Sequence, residues 1–226
     1  MKTWLWDILF PPLCLNCQKN AEGDLCPECW AGIRLNTSLF CPVCGLRLAD
    51  NKKVCHKDSP YLLAAATNYD NDSIRTLLKL FKFKKWQRLQ RPLGEILVSY
   101  LRNLDLDIRN FTVVPIPLHE DREKERGFNQ AKLIAKIVAD FYKLDLTEPI
   151  QRIKNTKTQS LAKNHEERAQ NVINCFAVNY PELIVGKNIL LVDDVHTSGA
   201  TIREAAKTLK SAGAKKIIAL VIAKTR

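Results

Sequence analysis

The sequence lacks any apolar run near the roughly 18 residues that a membrane-spanning helix needs. Its first residues also lack the pattern of a signal peptide, because Asp7 interrupts a short apolar stretch and two prolines follow it. Disorder is excluded because 46% of the residues are hydrophobic. We therefore expect a folded cytoplasmic protein without direct membrane insertion, with room in 226 residues for one ordinary domain and a small satellite.

Excess charge is almost absent from the first part of the chain. Residues 1–60 hold seven Lys or Arg and six Asp or Glu, so ten of the eleven net positive charges lie in residues 61–226. This basic part points to polyanionic partners, such as nucleic acid or phosphorylated ligands. A basic surface that is merely solvated is the alternative.

Cysteine is nearly absent after residue 60, where Cys175 stands alone. Three C-x-x-C pairs and one further cysteine precede that point. Two thiolates in a tight turn can hold one metal ion, and two such turns complete a tetrahedron. We predict a zinc-binding module over residues 1–60 and a second domain over residues 61–226, with the metal ligands Cys14, Cys17, Cys26, Cys29, Cys41, Cys44 and Cys55.

The number of zinc ions stays open at this point, because two ions need eight ligands and the module has seven cysteines. One site can use four cysteines. The second is then completed by His56 or Asp58, or it is degenerate and empty. We expect one or two zinc ions with a structural or adhesive role, since closed sites leave no open position for catalysis.

Apolar runs alternate with amphipathic segments after residue 60, which predicts an α/β domain with a mostly parallel sheet. Ligands bind at the carboxyl ends of the strands in such sheets. The predicted strands are Tyr61–Asn68, Phe111–Ile116, Asn188–Val192 and Lys216–Ala223. The predicted helices are Ser73–Leu80, Pro92–Leu104, Gln130–Tyr142 and Thr201–Ala212.

The segment NILLVDDVHTSGAT places two acids at the end of an apolar strand and a small-residue turn before a helix. Backbone N–H groups at a helix start favour a bound phosphate, and hydroxyl side chains add donors. Gly199 lets the backbone approach the anion closely. The two adjacent carboxylates can accept hydrogen bonds from a ribose diol and lie close to a bound Mg²⁺. The segment therefore predicts a phosphate-binding loop.

This segment resembles the loop of the type I phosphoribosyltransferases, which bind phosphoribosyl pyrophosphate (PRPP). The resemblance implies their fold, Mg²⁺ as cofactor, and Asp193 and Asp194 as the catalytic pair that contacts the ribose hydroxyls. His196 is either a bystander or a further ligand contact. The predicted PRPP-binding stretch continues through Val195, His196, Thr197, Ser198, Gly199, Ala200 and Thr201.

Two further blocks, VPIPL at 114–118 and RGFNQA at 126–131, resemble the ComF family of competence-associated proteins. The LFPPLC start, the LFKFKKW segment and the R…T…Q…L…R…N…F pattern after residue 152 fit too. This chain departs from the family at Cys55–Asp58, because many members have a second cysteine there. The resemblance implies a double zinc ribbon, single-stranded DNA as ligand, and a competence helicase or membrane uptake channel as partner.

The family blocks also make sense from their residues. Ile116, Pro117 and Leu118 follow a strand, so their backbone can reach a pyrophosphate, and Arg126 adds positive charge. Residues 152–168 are polar and lack clear periodicity, which predicts a lid over the site. The ligand-facing candidates in that lid are Arg152, Lys154, Gln159 and Arg168.

Acidic residues are absent from Arg75–Arg91, which holds seven cations interleaved with Phe81, Phe83 and Trp86. Cations neutralise backbone phosphates and exposed aromatic rings stack on unpaired bases, so the segment favours single-stranded nucleic acid. The alternative is that the aromatic side chains pack into the core. The predicted nucleic-acid contacts are Lys79, Lys82, Lys84, Lys85 and Arg88.

Two functions follow from these patterns. In the first, a PRPP-binding protein of phosphoribosyltransferase fold handles single-stranded DNA during natural transformation. In the alternative, the chain is an active Mg²⁺-dependent phosphoribosyltransferase acting on a nucleobase-type or other small acceptor, without a DNA role. A structural zinc adaptor is preferable only if both ligands fail to bind.

Overall fold

The computed structural model describes residues 12–48, 55–56, 58–104, 106–155 and 172–225 of the chain. The strands described are β1 (Leu39–Phe40), β2 (Arg47–Leu48), β3 (Leu62–Asn68), β4 (Phe111–Pro115), β5 (Ile150–Arg152), β6 (Phe176–Val178), β7 (Asn188–His196) and β8 (Lys216–Lys224). The helices are α1 (Pro27–Ala31), α2 (Asp72–Phe83), α3 (Gln90–Arg102), α4 (Glu120–Arg126), α5 (Gln130–Tyr142) and α6 (Ala200–Ser211).

A six-stranded sheet in the order β2-β1-β3-β8-β7-β4 organises the molecule. Strands β3, β8, β7 and β4 are parallel neighbours, whereas β1 pairs antiparallel with both β2 and β3. The prediction of a mostly parallel sheet flanked by helices is therefore confirmed. A separate antiparallel pair joins β5 and β6.

The two central strands are buried on both faces, as expected for strands between two helical layers. Alternate residues point to opposite faces. Leu190, Val192 and Ile218 pack with α3 and α5, whereas Ile189, Leu191 and Ile217 pack with α6. Within the described ranges, no helix is long and apolar enough to cross a membrane.

Helix α2 lies across the carboxyl ends of the strands. It begins after Asn71, whose side chain accepts a hydrogen bond from the backbone of Ile74. Near its other end, the Phe81 ring lies 5.4 Å from the ring of Phe128, just before α5. Since α5 follows β4, this contact keeps the end of α2 at the same edge of the sheet. The crossover back along the sheet belongs instead to α3, which contacts β3, β8 and α5.

The cysteine-rich segment is built into this sheet. Phe40 of β1 pairs with Leu63 of β3, and the Asn36 side chain donates to the carbonyl of Ala65 at 2.9 Å. The Tyr100 hydroxyl in α3 donates to the Ser38 carbonyl at 2.7 Å. The segment therefore shares its apolar core with the larger part of the chain.

Candidate functional site

A cleft of about 430 Å³ opens at the carboxyl ends of the parallel strands. Its floor, defined here as residues 193–201, begins in β7 rather than after it. The sequence predicts an end of this strand at Val192, but its ladder with β8 continues to the pair His196 and Lys224. The acids are therefore held by regular strand backbone rather than by a loop.

The two acids of the floor interact electrostatically and differ in exposure, since Asp193 is half-buried whereas Asp194 is buried. Asp194 is 7% exposed, and the Asp193 carboxylate accepts a hydrogen bond from the Asp194 backbone at 2.8 Å. Burial, and then the neighbouring Asp194 charge, raise the pKa of Asp193 to about 7. Hydrogen-bond donors or a cation that enter the cleft would favour its ionised form, so the pair is suited to a ligand with hydroxyl groups.

The loop after β7 leads directly into α6. Gly199 caps the helix with φ +70°, and the first helical N–H groups follow at Ala200 and Thr201. N–H groups at the start of a helix attract anions, and the Ala200 N–H also donates to the Ser198 hydroxyl at 3.5 Å. Thr197, Gly199, Ala200 and Thr201 line the cleft, whereas Ser198 stands beside them. The predicted phosphate loop thus has the required backbone form.

His196 supports this loop from beneath. The Tyr61 hydroxyl lies 3.0 Å from its Nε2, and both side chains are buried. Burial, and then the Arg203 charge, lower the pKa of His196 to about 4, so the ring is neutral and Nε2 can accept from Tyr61. A Cβ at Gly199 would lie 2.5 Å from that nitrogen, so a side chain at 199 requires the buried ring or the loop to move.

One side of the cleft, the α2 wall, consists of Lys79, Lys82 and Phe83. The Lys82 ammonium lies 2.8 Å from a carboxylate oxygen of Asp194. The Phe83 ring is 65% exposed. The predicted nucleic-acid segment is therefore divided, because two of its lysines face the cleft.

The rest of that segment continues outside the cleft. Lys84, Lys85 and Arg88 are exposed there, and together they form the basic surface. Arg88 also lies 3.2 Å from Asp24 of the cysteine-rich segment. Of the aromatic residues, Phe81 is buried in the core, as the alternative interpretation predicts, whereas Trp86 remains 39% exposed.

The opposite side carries a cluster of guanidinium groups. Arg122 and Arg126 of α4 and Arg152 of β5 all line the cleft. Burial, and then the nearby Arg152 and Arg126 charges, lower the pKa of Arg122, so these like charges share a confined space. Such a cluster favours an anion with more than one negative charge.

The turn after β4 contributes Ile116 and Leu118 to the lining, while Pro117 lies between them without lining the cleft. Asn129 fixes this turn, since its side chain donates to the Ile116 carbonyl at 3.0 Å. Gln130 also lines the cleft, and its buried Nε2 has no hydrogen-bond acceptor among the described residues. The lid candidates Gln159 and Arg168 lie outside the described residues.

Sequence reasoning missed Tyr61 and the buried amide donor of Gln130. Nothing in the pattern around Tyr61 relates it to His196, which is 135 residues away. Sequence reasoning also placed Lys79 and Lys82 on a nucleic-acid-binding face apart from the cleft. Their spacing of three residues puts them on one side of a helix, and that was the available signal.

Seven cysteines and one histidine form two clusters that fit zinc. In the first cluster, the ligand atoms of Cys14, Cys17, Cys26 and Cys29 all lie within 4.8 Å of one another. Four tetrahedral Zn–S bonds of about 2.3 Å hold the sulfurs about 3.8 Å apart, which is within this limit. The Cys17 and Cys26 sulfurs, for example, are 3.6 Å apart.

The second cluster combines Cys41, Cys44 and Cys55 with His56, again within 4.8 Å. The His56 Nδ1 lies 3.4 Å from the Cys41 sulfur and 3.3 Å from the Cys55 sulfur. Of the two candidates for the eighth ligand, the geometry therefore brings in His56 and leaves out Asp58. Three ligands of the first cluster are buried, whereas three of the second are exposed.

Known families account for both parts of the chain. The family model of the double zinc ribbon domain matches residues 5–57, which supports zinc as the metal, and the phosphoribosyl transferase domain matches residues 84–226. A solved glutamine PRPP amidotransferase from B. subtilis is 16% identical, with a TM-score of 0.39, over 66% of this chain and 27% of its own. A TM-score this low supports no conclusion.

Several curated proteins match most of the chain. Competence protein ComFC of Bacillus subtilis (strain 168) is 32% identical over 204 residues, or 85% of this chain and 80% of that protein. Competence protein F of Haemophilus influenzae is 28% identical over 90% of this chain and 93% of its own length. DNA utilization protein YhgH of Escherichia coli (strain K12) is 26% identical over the same shares. The chain therefore belongs to the ComF family of competence-related proteins, which join a double zinc ribbon to a phosphoribosyltransferase domain.

Proposed function

We propose that this protein binds PRPP in the cleft, as the Mg²⁺ complex, and engages single-stranded DNA through the adjoining basic surface during DNA uptake. One observation carries the proposal. The acid pair of the floor, the loop before α6, the α2 wall and the arginine cluster all face the same cleft of about 430 Å³. Each of these groups suits a different part of one ligand.

The 5-phosphate of PRPP matches the N–H groups of the floor at Gly199–Thr201. The ribose hydroxyls are donors for Asp193 and Asp194, and their hydrogen bonds favour the ionised carboxylates. The diphosphate carries Mg²⁺ with it and matches the charges of Arg122, Arg126 and Arg152. Mg²⁺ would neutralise part of that charge, as it does for phosphate groups generally.

Calorimetric titration with PRPP, in the presence and absence of Mg²⁺, tests the cleft. Hydrogen bonds to charged groups contribute about 1.5–3 kcal/mol, so Asp193→Asn and Asp194→Asn should each weaken binding by roughly 10- to 100-fold. Asp107→Asn is the control, because Asp107 is exposed and pairs with Arg109 outside the cleft. Failure of the unaltered protein to bind PRPP in either condition would refute the proposal.

The DNA part of the proposal rests on different support. Relatives that match most of the chain are named competence and DNA utilization proteins. The basic surface adjoins the exposed rings of Phe83 and Trp86, a combination of cations and aromatic faces that suits unpaired bases.

Charge reversal separates a DNA contact from a general effect of net charge. Lys84→Glu with Lys85→Glu should reduce the affinity for a single-stranded oligonucleotide by at least about 10-fold and flatten its salt dependence. Lys187→Glu with Lys215→Glu makes the same change in charge at two exposed positions before β7 and β8, away from the cleft. Equal losses in both double variants, measured by fluorescence anisotropy, would contradict the placement.

Transfer of the phosphoribosyl group is a second candidate, favoured by the aromatic side chains of Tyr69 and Phe83 in the cleft lining. A planar acceptor can stack on such rings. Its nitrogen would form a bond to C1 of the ribose as the C1–O bond to pyrophosphate breaks, and Asp193 and Asp194 would stabilise positive charge on the sugar. Pyrophosphate release that depends on a nucleobase and on both acids would establish this activity.

A further inference from the structure

The ligand group that the floor suits is a phosphate monoester on carbon 5 of a pentose. PRPP carries that group, and so does the first nucleotide of a 5′-phosphorylated DNA strand. We propose that the cleft also receives the 5′-phosphorylated end of single-stranded DNA, with the terminal base on Phe83. The inference rests on the proposed function and assigns PRPP and the strand end to the same phosphate position.

Helix α2 links the two binding regions. Its last turn contributes Lys82 and Phe83 to the cleft, and the basic surface begins at the next residue, Lys84. A strand that lies along Lys84, Lys85 and Arg88 therefore has its nearest cavity in the cleft itself. Phe83 stands at the junction with 65% of its surface exposed, which leaves its ring available for stacking.

A strand end would meet the acid pair through charge rather than through sugar hydroxyls. In PRPP the 2- and 3-hydroxyls are free donors for the acids, whereas a nucleotide of DNA has no 2-hydroxyl and its 3-oxygen carries the next phosphate. That phosphate would meet the negative charge of Asp194, but the Lys82 ammonium already lies 2.8 Å from that carboxylate. Lys82, with Lys79 on the same wall, supplies the cation that the second phosphate requires.

The dimensions of the cleft set a limit of one nucleotide. Its volume of about 430 Å³ lies in the lower part of the roughly 300–1,000 Å³ range of small-ligand pockets. The remaining nucleotides must then lie outside, on the basic surface.

Three oligonucleotides of one sequence test the inference: one with a 5′-phosphate, one with a 3′-phosphate and one with hydroxyl groups at both ends. The first two have equal charge, so they separate recognition of the end from added electrostatic attraction. We expect the 5′-phosphorylated strand to bind about 10-fold tighter than the other two, because it gains charge-assisted hydrogen bonds in the floor. Excess PRPP should remove that advantage and leave the binding of the other strands unchanged.

Two variants test whether the tighter binding of the 5′-phosphorylated strand arises in the cleft. With Gly199→Ala, the three strands should bind equally, because the added side chain forces the loop or the His196 ring to move. With Phe83→Ala, the advantage should shrink by about fivefold, because the stacking of the terminal base is lost while the phosphate contact remains.

Equal binding of the 5′- and 3′-phosphorylated strands to the unaltered protein would overturn the inference, and so would an advantage that PRPP does not displace. In either case, PRPP titration and the binding of the hydroxyl-ended strand show whether the proposed function itself survives. If both ligands bind and the 5′ advantage is absent, only the shared site is refuted. If PRPP fails to bind, the proposed function is refuted with it.

Discussion

The floor and the α2 wall of the cleft differ in what holds them in place. The floor continues a central strand that is paired on both sides, by β4 and β8. The wall is the end of a helix whose start makes polar contacts with the segment of the first zinc cluster. Asn16 donates both to the Cys29 sulfur at 3.2 Å and to Ser73 of α2 at 2.9 Å, and Asn71 donates to the Gly32 carbonyl at 2.9 Å.

This difference has a functional meaning under the proposal. The groups for the phosphorylated sugar are fixed by the sheet, whereas the groups that adjoin the basic surface depend on support from the zinc ribbon. Loss of zinc would therefore weaken DNA binding more than PRPP binding. Four measurements examine that division, beginning with the largest expected effect.

Cys26→Ser should have the largest effect, because Cys26 is a buried ligand of the first cluster. Structural zinc contributes folding free energy directly, and we expect a loss of at least about 4 kcal/mol, or roughly 12 °C in Tm. DNA affinity should fall more than PRPP affinity. Cys55→Ser in the exposed second cluster is the matched control and should cost less than half as much. Thermal unfolding and zinc content measure both, and equal losses would remove the distinction between the clusters.

The pH dependence of stability tests how firmly the floor is buried. Unfolded chains bind a proton at His196 near the ordinary pKa of 6.5, whereas the folded protein keeps the ring neutral down to about 4. The free energy of unfolding therefore keeps its full value above pH 6.5. It falls by about 3 kcal/mol in total as the pH falls from 6.5 toward 4, because only the unfolded chain then binds the proton. His196→Gln keeps an acceptor for Tyr61 and should lack that pH dependence.

Urea unfolding of the two proteins between pH 7.5 and 4 isolates this contribution, because both contain the same zinc ligands. The groups that face His196 are Tyr61, Arg203 and Lys224, and none of them changes in the comparison. Parallel curves for the two proteins would show that the ring is not held neutral in the fold.

Gly199→Ala should weaken PRPP binding by about 100-fold, because a side chain at this position combines a positive φ with a collision at His196. Gly186→Ala is the matched control. Gly186 has φ +72° but nothing within 4 Å of a built Cβ, so it carries the backbone effect alone. Calorimetry should show normal PRPP affinity for the control, and equal losses would mean that the collision is unimportant.

Lys82→Ala examines the one ion pair that joins the wall to the floor among the described residues. Removing the ammonium leaves Asp194 buried beside Asp193 with less compensating charge, so we expect PRPP affinity to fall by about fivefold. In an Asp194→Asn background the same change should add little, because the pair is already absent. Full additivity of the two changes in a calorimetric double-mutant cycle would show that Lys82 and Asp194 do not interact.

The floor was largely predictable because its residues are contiguous. Apolar residues at 189–192, two acids and a Thr-Ser-Gly turn define the order of strand, carboxylates and helix start without knowledge of the fold. The predicted end of β7 was wrong, because pairing with β8, rather than the apolar pattern, decides where the strand stops. The support by Tyr61 depends on a contact between distant residues that no local pattern contains.

The wall could not be placed from sequence for a different reason. A helix after a parallel strand usually returns along the sheet, and periodicity does not reveal that α2 stays across the strand ends while α3 makes the return. Helix α4 was missed because Glu120–Arg126 is charged on all sides and has no buried residue to set a period. From the sequence, the eighth zinc ligand could be narrowed only to His56 or Asp58, because the turn of the chain decides which side chain reaches the metal.

The pairing of β1 with β3 has a consequence for solubility. An apolar strand at the edge of a sheet is a template for pairing with another chain. The opposite edge at β4 is covered by Asp145–Thr147, through backbone hydrogen bonds to Val113 at 2.8 and 3.0 Å. The edge at β3, with the apolar run LLAAAT, is covered by the strand that leads into the second zinc cluster. Loss of zinc would loosen the segment that covers this edge, so we expect the metal-free protein to aggregate more readily.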